Sequence, residues 1–139
     1  MRRLAAVVLA LSLAACRESA PVTRQVVPGG DAARGSRLVA QYGCGSCHVI
    51  PGVPGAHGAV GPPLIAFAHR AYIAGTLRNE PGSLVRWIRF PQSVEPGTVM
   101  PDLGVTEPDA RDIAAYLYTL ERGGLSPPHL FPARVLERH

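Results

Sequence analysis

The residues Cys44-Gly45-Ser46-Cys47-His48 constrain this chain more than any other feature. They form C-x-x-C-H, the pattern typical of covalent c-type haem attachment. Two thiols at this spacing can each form a thioether with one of the two vinyl groups of haem. The next residue, His48, is then placed to offer an imidazole nitrogen to the iron as an axial ligand. The core of such a chain would include the haem as well as protein side chains.

Two other uses of C-x-x-C remain open at this point, because zinc sites and thioredoxin-like redox centres share the pattern. A zinc site would need about two further Cys or His ligands. No cysteine follows Cys47, and no H-x3–5-H pair follows it. A redox disulfide is expected within a βαβ pattern, which is not visible around the motif. These observations favour haem over the two alternatives.

The first residues fit the pattern of a bacterial export signal. A positive start, Met1-Arg2-Arg3, precedes an apolar segment from Leu4 to Leu13 that is too short to span a bilayer. The sequence Leu13-Ala14-Ala15-Cys16 then resembles a lipobox. We therefore expect residues 1–15 to be a lipoprotein signal peptide and Cys16 to carry lipid. An ordinary signal peptide with a chance cysteine is the alternative.

Lipid on Cys16 would anchor the protein to a membrane of the bacterial cell envelope, facing the periplasm. It would also account for the odd cysteine, since Cys44 and Cys47 then remain for haem. The following residue, Arg17, is not the aspartate associated with inner-membrane retention in some bacteria, which favours the outer membrane. Residues 16–30 contain prolines and glycines without periodicity and predict a flexible tether.

The charge pattern argues against nucleic acid as a partner. The net charge is +4, and part of it comes from Arg2 and Arg3, which leave with the signal. The remaining arginines are spread singly, which is typical of solvated faces rather than of a nucleic-acid patch. The chain has no lysine, so any electrostatic docking has to use arginine.

Helical periodicity predicts an all-α fold with long loops. Residues 31–122 form the expected domain, followed by a C-terminal tail, 123–139. Asp31 is a good cap for a first helix that runs to about Tyr42. Thr106 caps the last helix, which Gly123-Gly124 is expected to end.

The middle of the chain gives weaker signals. The apolar content of Leu64 to Leu77 predicts one helix there. Ser83 is interpreted as the cap of a short helix from Leu84 to Phe90, which Pro91 stops. No segment has sustained strand alternation.

The second axial ligand of the iron has few candidates. Once the signal is removed, Met100 is the only methionine, and it lies in a loop made rigid by Pro96, Gly97 and Pro101. A core-filling methionine usually lies on an apolar helical face, so this position favours ligation. Thioether ligation would close the coordination sphere and leave no place at the iron for a small-molecule substrate. His57 and His69 are the rival ligands, while His129 and His139 belong to the tail.

Together these residues resemble the class I cytochrome c family across roughly Asp31 to Leu120. The resemblance implies a cytochrome c fold, in which crossed terminal helices and enclosing loops hold one covalently bound haem c. It implies that the Pro62 carbonyl, in Gly61-Pro62-Pro63-Leu64, accepts the Nδ1–H of His48. It further places Trp87 near the methionine sulfur and Thr98 near a haem propionate, and it puts Gly35 and Tyr116 at the helix crossing.

The stretch from Trp87 to Gln92, with the sequence that follows Met100, is also similar to the cytochrome c domains fused to subunit II of bacterial cytochrome oxidases. This resemblance implies a membrane-anchored, one-electron carrier of a respiratory chain rather than an enzyme. Its partners would be a terminal oxidase or another respiratory complex. Two alternatives stay open: a haem subunit of a periplasmic dehydrogenase or reductase, and a catalytic or sensing haem protein with an open iron position.

Overall fold

The computed structural model describes residues 25–121 of the chain. This part holds four α-helices: α1 (Ala32–Gln41), α2 (Pro81–Arg89), α3 (Pro91–Val94) and α4 (Glu107–Leu117). It also holds two 3₁₀ turns, Cys44–Ser46 and Phe67–His69, and a short antiparallel hairpin of β1 (Tyr72–Ile73) and β2 (Leu77–Arg78). The predicted signal peptide, its lipid cysteine Cys16, most of the predicted tether and the predicted tail lie outside the described residues.

The two terminal helices begin as their capping residues predict. The Asp31 carboxylate accepts hydrogen bonds from the backbone N–H groups of Ala33 and Arg34, at 2.8 and 3.0 Å. The Thr106 hydroxyl accepts one from the backbone N–H of Asp109 at 3.4 Å. These three bonds satisfy N–H groups that the first turn of a helix leaves free.

Helices α1 and α4 pack against each other at Gly35. A Cβ added at Gly35 would overlap the backbone carbonyl of Asp112, and it would lie 3.0 Å from the backbone nitrogen of Ile113. Only glycine permits so close an approach of two helices. Tyr116, the other residue expected near the crossing, is buried, and its hydroxyl donates to the Pro51 carbonyl at 2.6 Å.

The middle of the chain departs from the predicted elements. The expected helix over Leu64–Leu77 is wrong: this region forms the 3₁₀ turn Phe67–His69 and the hairpin. Ala66 and Ala74 have positive φ values of 52° and 51°, which an α-helix does not accommodate. The fold is therefore helical with a small antiparallel sheet, not strictly all-α.

Helix α2 also starts earlier than predicted. Ser83 is not its cap, because Glu80 holds that position and Pro81 is the first helical residue. Proline suits this position, since its missing N–H would have no helical partner there and its φ is already helical. The helix buries Leu84 and Ile88, and Pro91 then begins α3.

The buried apolar side chains of α1, α2 and α4 form one core with those of the intervening loops. No helix within residues 25–121 has the length and apolar character that a membrane crossing requires.

Candidate functional site

A cavity of about 430 Å³ lies between the helices and the loops, within the range of small-molecule and cofactor sites. Its wall is mostly apolar, with Val39 from α1, Leu84 from α2 and Ile113 from α4. All seven residues that the sequence assigns to a haem site line this one cavity: Cys44, Cys47, His48, Pro62, Trp87, Thr98 and Met100. Residues far apart in sequence thus meet around a space whose surface suits an apolar group.

The C-x-x-C-H segment forms one wall, immediately after α1. Gly43 ends that helix with a positive φ of 69°, and the 3₁₀ turn Cys44–Ser46 follows. The backbone N–H of His48 donates to the Cys44 carbonyl at 3.1 Å, so the turn is closed on itself. Burial raises the pKa of the Cys44 thiol. The thiols of Cys44 and Cys47 are both free.

The His48 ring is held by the backbone of the opposite loop. Its Nδ1 lies 2.8 Å from the Pro62 carbonyl oxygen. Since a carbonyl can only accept, Nδ1 carries the proton, and Nε2 of the neutral ring keeps a lone pair. A nitrogen in this state can bind a metal, and the hydrogen bond to Pro62 fixes the ring for it.

Gly61 leaves room for the same ring. A Cβ added there would lie 2.6 Å from Nδ1 and 2.9 Å from Nε2 of His48, closer than side-chain carbons pack. The backbone N–H of Gly61 also donates to the Cys47 carbonyl at 2.8 Å. The loop that supports His48 is therefore attached directly to the cysteine turn.

Met100 reaches the cavity from the loop after α3, and Gln92 holds that loop. The Gln92 side-chain amide donates to the Thr98 carbonyl at 2.6 Å and to the Met100 carbonyl at 3.0 Å. The Thr98 hydroxyl accepts from the backbone N–H of Met100 at 3.4 Å. Sequence reasoning missed the role of Gln92, because only the folded loop brings these carbonyls to its side chain.

Arg70 is a second residue of the site that sequence reasoning missed. It lines the cavity and donates to the Pro63 carbonyl, and its guanidinium lies 5.5 Å from the centre of the Phe67 ring. Partial burial lowers its pKa, although an arginine remains charged at neutral pH. The Asn79 side chain donates to the Phe67 and Arg70 carbonyls at 3.1 and 2.9 Å, and accepts from Tyr118 at 2.9 Å. A buried polar network thus fixes the segment that carries Arg70.

The rival interpretations of the site find less support. Neither His57 nor His69 lines the cavity; the His69 Nε2 lies instead 2.5 Å from the Glu121 carboxylate. His129 and His139 lie outside the described residues. Within residues 25–121, no three His, Cys, Asp or Glu side chains cluster as a zinc site requires. The single short hairpin of that region does not make the βαβ unit of a thioredoxin-like centre.

The donor set and the cavity fit haem c. The motif offers two free thiols and a histidine with an available Nε2 on one wall, while Met100 contributes a thioether to the same cavity. Apolar side chains line most of the remaining wall, and Arg70 is a cation suited to the carboxylates that haem carries. These residues would hold the two vinyl carbons, the iron and the acidic edge of the group.

Comparison with known proteins agrees with this fit. Residues 32–121 match the family model for cytochrome c. Over 89 residues the chain is 37% identical to cytochrome c oxidase subunit 2 of Alkalihalophilus pseudofirmus. The matched part is 63% of this chain and 25% of that protein, so the chain spans about a quarter of the length of this curated relative. The chain belongs to the cytochrome c family, whose members carry electrons on a covalently attached haem c.

Proposed function

We propose that this protein is a membrane-anchored, one-electron carrier that exchanges electrons with a terminal oxidase of a bacterial respiratory chain. The observation that carries the proposal is the placement of Met100 on the same cavity as His48 and the two cysteines. When bound, the haem supplies a one-electron couple between Fe(III) and Fe(II). A protein that ligates the iron from both sides leaves no site there for substrate, which suits carriage rather than catalysis.

The chain's own residues keep the site the same in both redox states. Pro62 fixes the ring of His48 through a 2.8 Å hydrogen bond, and Gln92 fixes the Met100 loop through two backbone carbonyls. The mostly apolar wall offers few polar groups that could hold water beside the bound haem. A rigid, dry site requires little rearrangement when charge changes, so electron exchange is fast.

The link to an oxidase rests on the similarity to a cytochrome c oxidase subunit 2. We infer anchoring from the lipobox sequence at Cys16; lipid there would hold the protein at the cell envelope, facing the periplasm, and Arg17 favours the outer membrane. Replacement of Cys16 by serine is expected to move the protein from the membrane fraction to the soluble fraction and to abolish incorporation of labelled fatty acid. A Ser19→Ala variant is the matched control and should remain in the membrane fraction.

The assignment of Met100 is tested by visible spectroscopy of protein made with a c-type maturation system. The wild-type protein should have the methionine–iron charge-transfer band, and Met100→Ala should lose it. The neighbouring Val99→Ala variant should keep it. Carbon monoxide should bind rapidly to reduced Met100→Ala but not to the reduced wild type. Rapid binding to the wild type would contradict the closed coordination sphere and favour a catalytic or sensing protein.

A further inference from the structure

The chain enters the domain through a short turn that precedes α1. Pro28 and Gly29 are its two central residues, and Gly29 has a positive φ of 72°. The backbone N–H of Gly30 closes the turn by donating to the Val27 carbonyl at 3.0 Å. Proline followed by glycine at positive φ is typical of a type II turn, in which both residues are conformationally fixed. We call residues 27–30 the clasp.

Three contacts hold the clasp against α4. The Val27 side chain is buried in the core, with 6% of its surface exposed. The Arg111 guanidinium donates to the Pro28 carbonyl at 3.2 Å. A Cβ added at Gly30 would lie 2.7 Å from the Arg111 carbonyl oxygen and 2.9 Å from the Cβ of Ala115. The turn therefore lies directly on the helix, in a position that a larger residue than glycine would prevent.

The clasp and the haem cavity lie on opposite faces of α4. Arg111 and Ala115 contact the clasp, whereas Ile113 and Leu117 line the cavity. Side chains two positions apart point about 200° apart around the axis of an α-helix, so the two pairs face in opposite directions. Among the described residues, none lines both the cavity and the groove beside the clasp, to which Val26 belongs.

We propose that the clasp holds the lipid-anchored protein with this side of the domain toward the bilayer and with the haem cavity toward the periplasm. This inference rests on the proposed function, including lipid at Cys16. Residues 17–26 connect that cysteine to the clasp and reach at most about 36 Å, whatever their conformation. A domain of this size is roughly 33 Å wide, so the path over its surface to the opposite side is about 50 Å. The connection is therefore too short to bring the cavity to the bilayer while the clasp is closed.

Release of the clasp would remove this limit. The chain would then be held at Asp31, whose backbone N–H donates to the Asp112 carboxylate at 2.7 Å. Residues 17–30 reach about 50 Å, which is enough to pass around the domain. The four residues of the clasp thus decide which side can meet the lipid. With the clasp closed, the haem is presented to a partner that stands in the water above the membrane, and not to a reductant dissolved in the lipid.

The first test compares distances to the bilayer by NMR. The lipidated, reduced protein is incorporated into lipid nanodiscs that carry gadolinium on a chelating headgroup. Val26 and Val99 are matched reporters, with exposures of 75% and 76%, and Val99 lines the cavity. Paramagnetic relaxation falls steeply with distance, so across a domain roughly 33 Å wide the Val26 methyl groups should be relaxed on the order of tenfold more strongly than those of Val99. Equal relaxation, or stronger relaxation at Val99, would overturn the proposal.

Substitutions in the clasp should abolish this difference. The methyl group of Gly30→Ala would overlap the Arg111 carbonyl and displace the turn. Val27→Ser is a second variant, which removes the buried side chain of the clasp. Gly82→Ala is the matched control, because Gly82 lines the groove beside the clasp, but no atom of the described residues lies within 4 Å of a Cβ added there. Visible and circular dichroism spectra identify the variants that fold, and an unchanged difference in the folded clasp variants would overturn the proposal.

A longer connection tests the limit on reach. Insertion of about 15 Gly/Ser residues between Arg24 and Gln25 leaves the clasp in place but lets the chain pass around the domain. The insertion should therefore reduce the difference in relaxation between Val26 and Val99. A difference that survives the insertion would show that attraction to the lipid, and not the clasp, orients the protein.

Failure of the clasp and failure of the proposed function give different results. In the soluble Cys16→Ser protein, a nuclear Overhauser contact between the Gly30 Hα and the Ala115 methyl group reports the clasp without a membrane. Its absence would overturn the proposal. Voltammetry of the same protein tests one-electron carriage separately. A wild-type chain that incorporates no fatty acid would overturn the orientation while leaving electron carriage intact.

Discussion

At the scale of single residues, the site is built by contacts that lie outside the C-x-x-C-H motif. Pro62 orients His48, Gly61 makes room for its ring, and Gln92 holds the loop of Met100. None of the three offers a ligand to the iron. Each acts by limiting the positions that a ligand can take, which is how surrounding groups control a metal site.

Arg70 allows a prediction at this scale. Arg70 is the cationic side chain on the cavity wall. A positive charge there would stabilise the reduced, Fe(II) state of the haem relative to the Fe(III) state. Arg70→Gln should therefore lower the reduction potential, by on the order of tens of millivolts. The potential is measured by voltammetry of the haem-loaded protein. Arg78→Gln is the control, since Arg78 is exposed on β2 and does not line the cavity. Equal potentials for wild type and Arg70→Gln would show that Arg70 does not act on the haem.

At the scale of the elements, the crossing of α1 and α4 is the central contact. Its polar side consists of Arg34, which pairs with both Asp109 and Asp112, and of Tyr42, which donates to Asp109 at 2.7 Å. The Asp112 carboxylate is nearly buried and also accepts from the backbone N–H of Asp31 at 2.7 Å. Close backbone contact at Gly35 and this polar network therefore fix the same crossing.

Gly35→Ala should destabilise the protein strongly. The added methyl would overlap the Asp112 carbonyl, which belongs to the backbone and cannot rotate away. The helices must then separate, and the free energy of unfolding should fall by on the order of 3 kcal/mol. Urea unfolding of the haem-loaded protein measures this change. Ser36→Ala, the next position of α1, should stay close to wild type, and a similar loss in both variants would point to a general helix effect instead.

The Tyr42–Asp109 pair gives a prediction for acid stability. The hydrogen bond from Tyr42 is the main cause that lowers the pKa of Asp109 in the folded protein. A carboxyl group whose pKa is lower in the folded than in the unfolded protein stabilises the folded state at pH values above its unfolded pKa, about 3.9 for aspartate. This contribution is lost as the pH falls through the pKa of the folded protein. Tyr42→Phe should therefore have a lower free energy of unfolding than the wild type at pH 7. The difference between the two free energies should become smaller as the pH falls below about 4.

Urea unfolding at a series of pH values measures that difference. Tyr72→Phe serves as the control, because Tyr72 is exposed and its hydroxyl has no hydrogen-bond partner among the described residues. If the free energies of unfolding of Tyr42→Phe and the wild type differ by the same amount at every pH, the Tyr42 hydroxyl does not act through the ionisation of Asp109.

The elements also show which parts of the fold the sequence could predict. The helix at Asp31 was predictable because its cap and its apolar face lie within one short segment. The hairpin and the turn before it were not predictable, because Ala66 and Ala74 adopt positive φ values there. Contacts with distant parts of the chain hold this region in place. The backbone N–H of Ala68 donates to the Leu120 carbonyl, and the Asn79 side chain bonds both the Phe67 carbonyl and the Tyr118 hydroxyl. The same distinction separates the haem motif, which is local, from Arg70 and Gln92, whose partners are set by folding.

At the scale of the whole molecule, the cavity occupies the place where a core would otherwise pack. Side chains of α1, α2 and α4 face it together with the cysteine turn. A domain of this size buries limited apolar surface by itself. The haem therefore completes the core as well as carrying the electron.

This arrangement predicts that haem attachment and folding are coupled. A Cys44→Ala/Cys47→Ala variant purified without haem should have a weaker helical circular dichroism signal and a lower melting temperature than the wild type, because a bound group stabilises the folded state. Ser46→Ala, which lies between the two cysteines and leaves both thiols in place, should behave as wild type. A haem-free double variant that melts at the wild-type temperature would show that the protein core is sufficient alone.

The two supports of the iron differ in how firmly they are built. His48 follows a turn that continues from α1, the helix that packs against α4. Met100, by contrast, lies in a mostly exposed loop that one exposed glutamine clamps. Segments with few buried contacts open without global unfolding. If Met100 ligates the iron as proposed, its exchange for an external ligand, or oxidation of its sulfur, would be governed by transient release of this loop while the crossed helices remain intact. We therefore expect the lifetime of the proposed Met100 ligation to be set by the Gln92 clamp rather than by the stability of the fold.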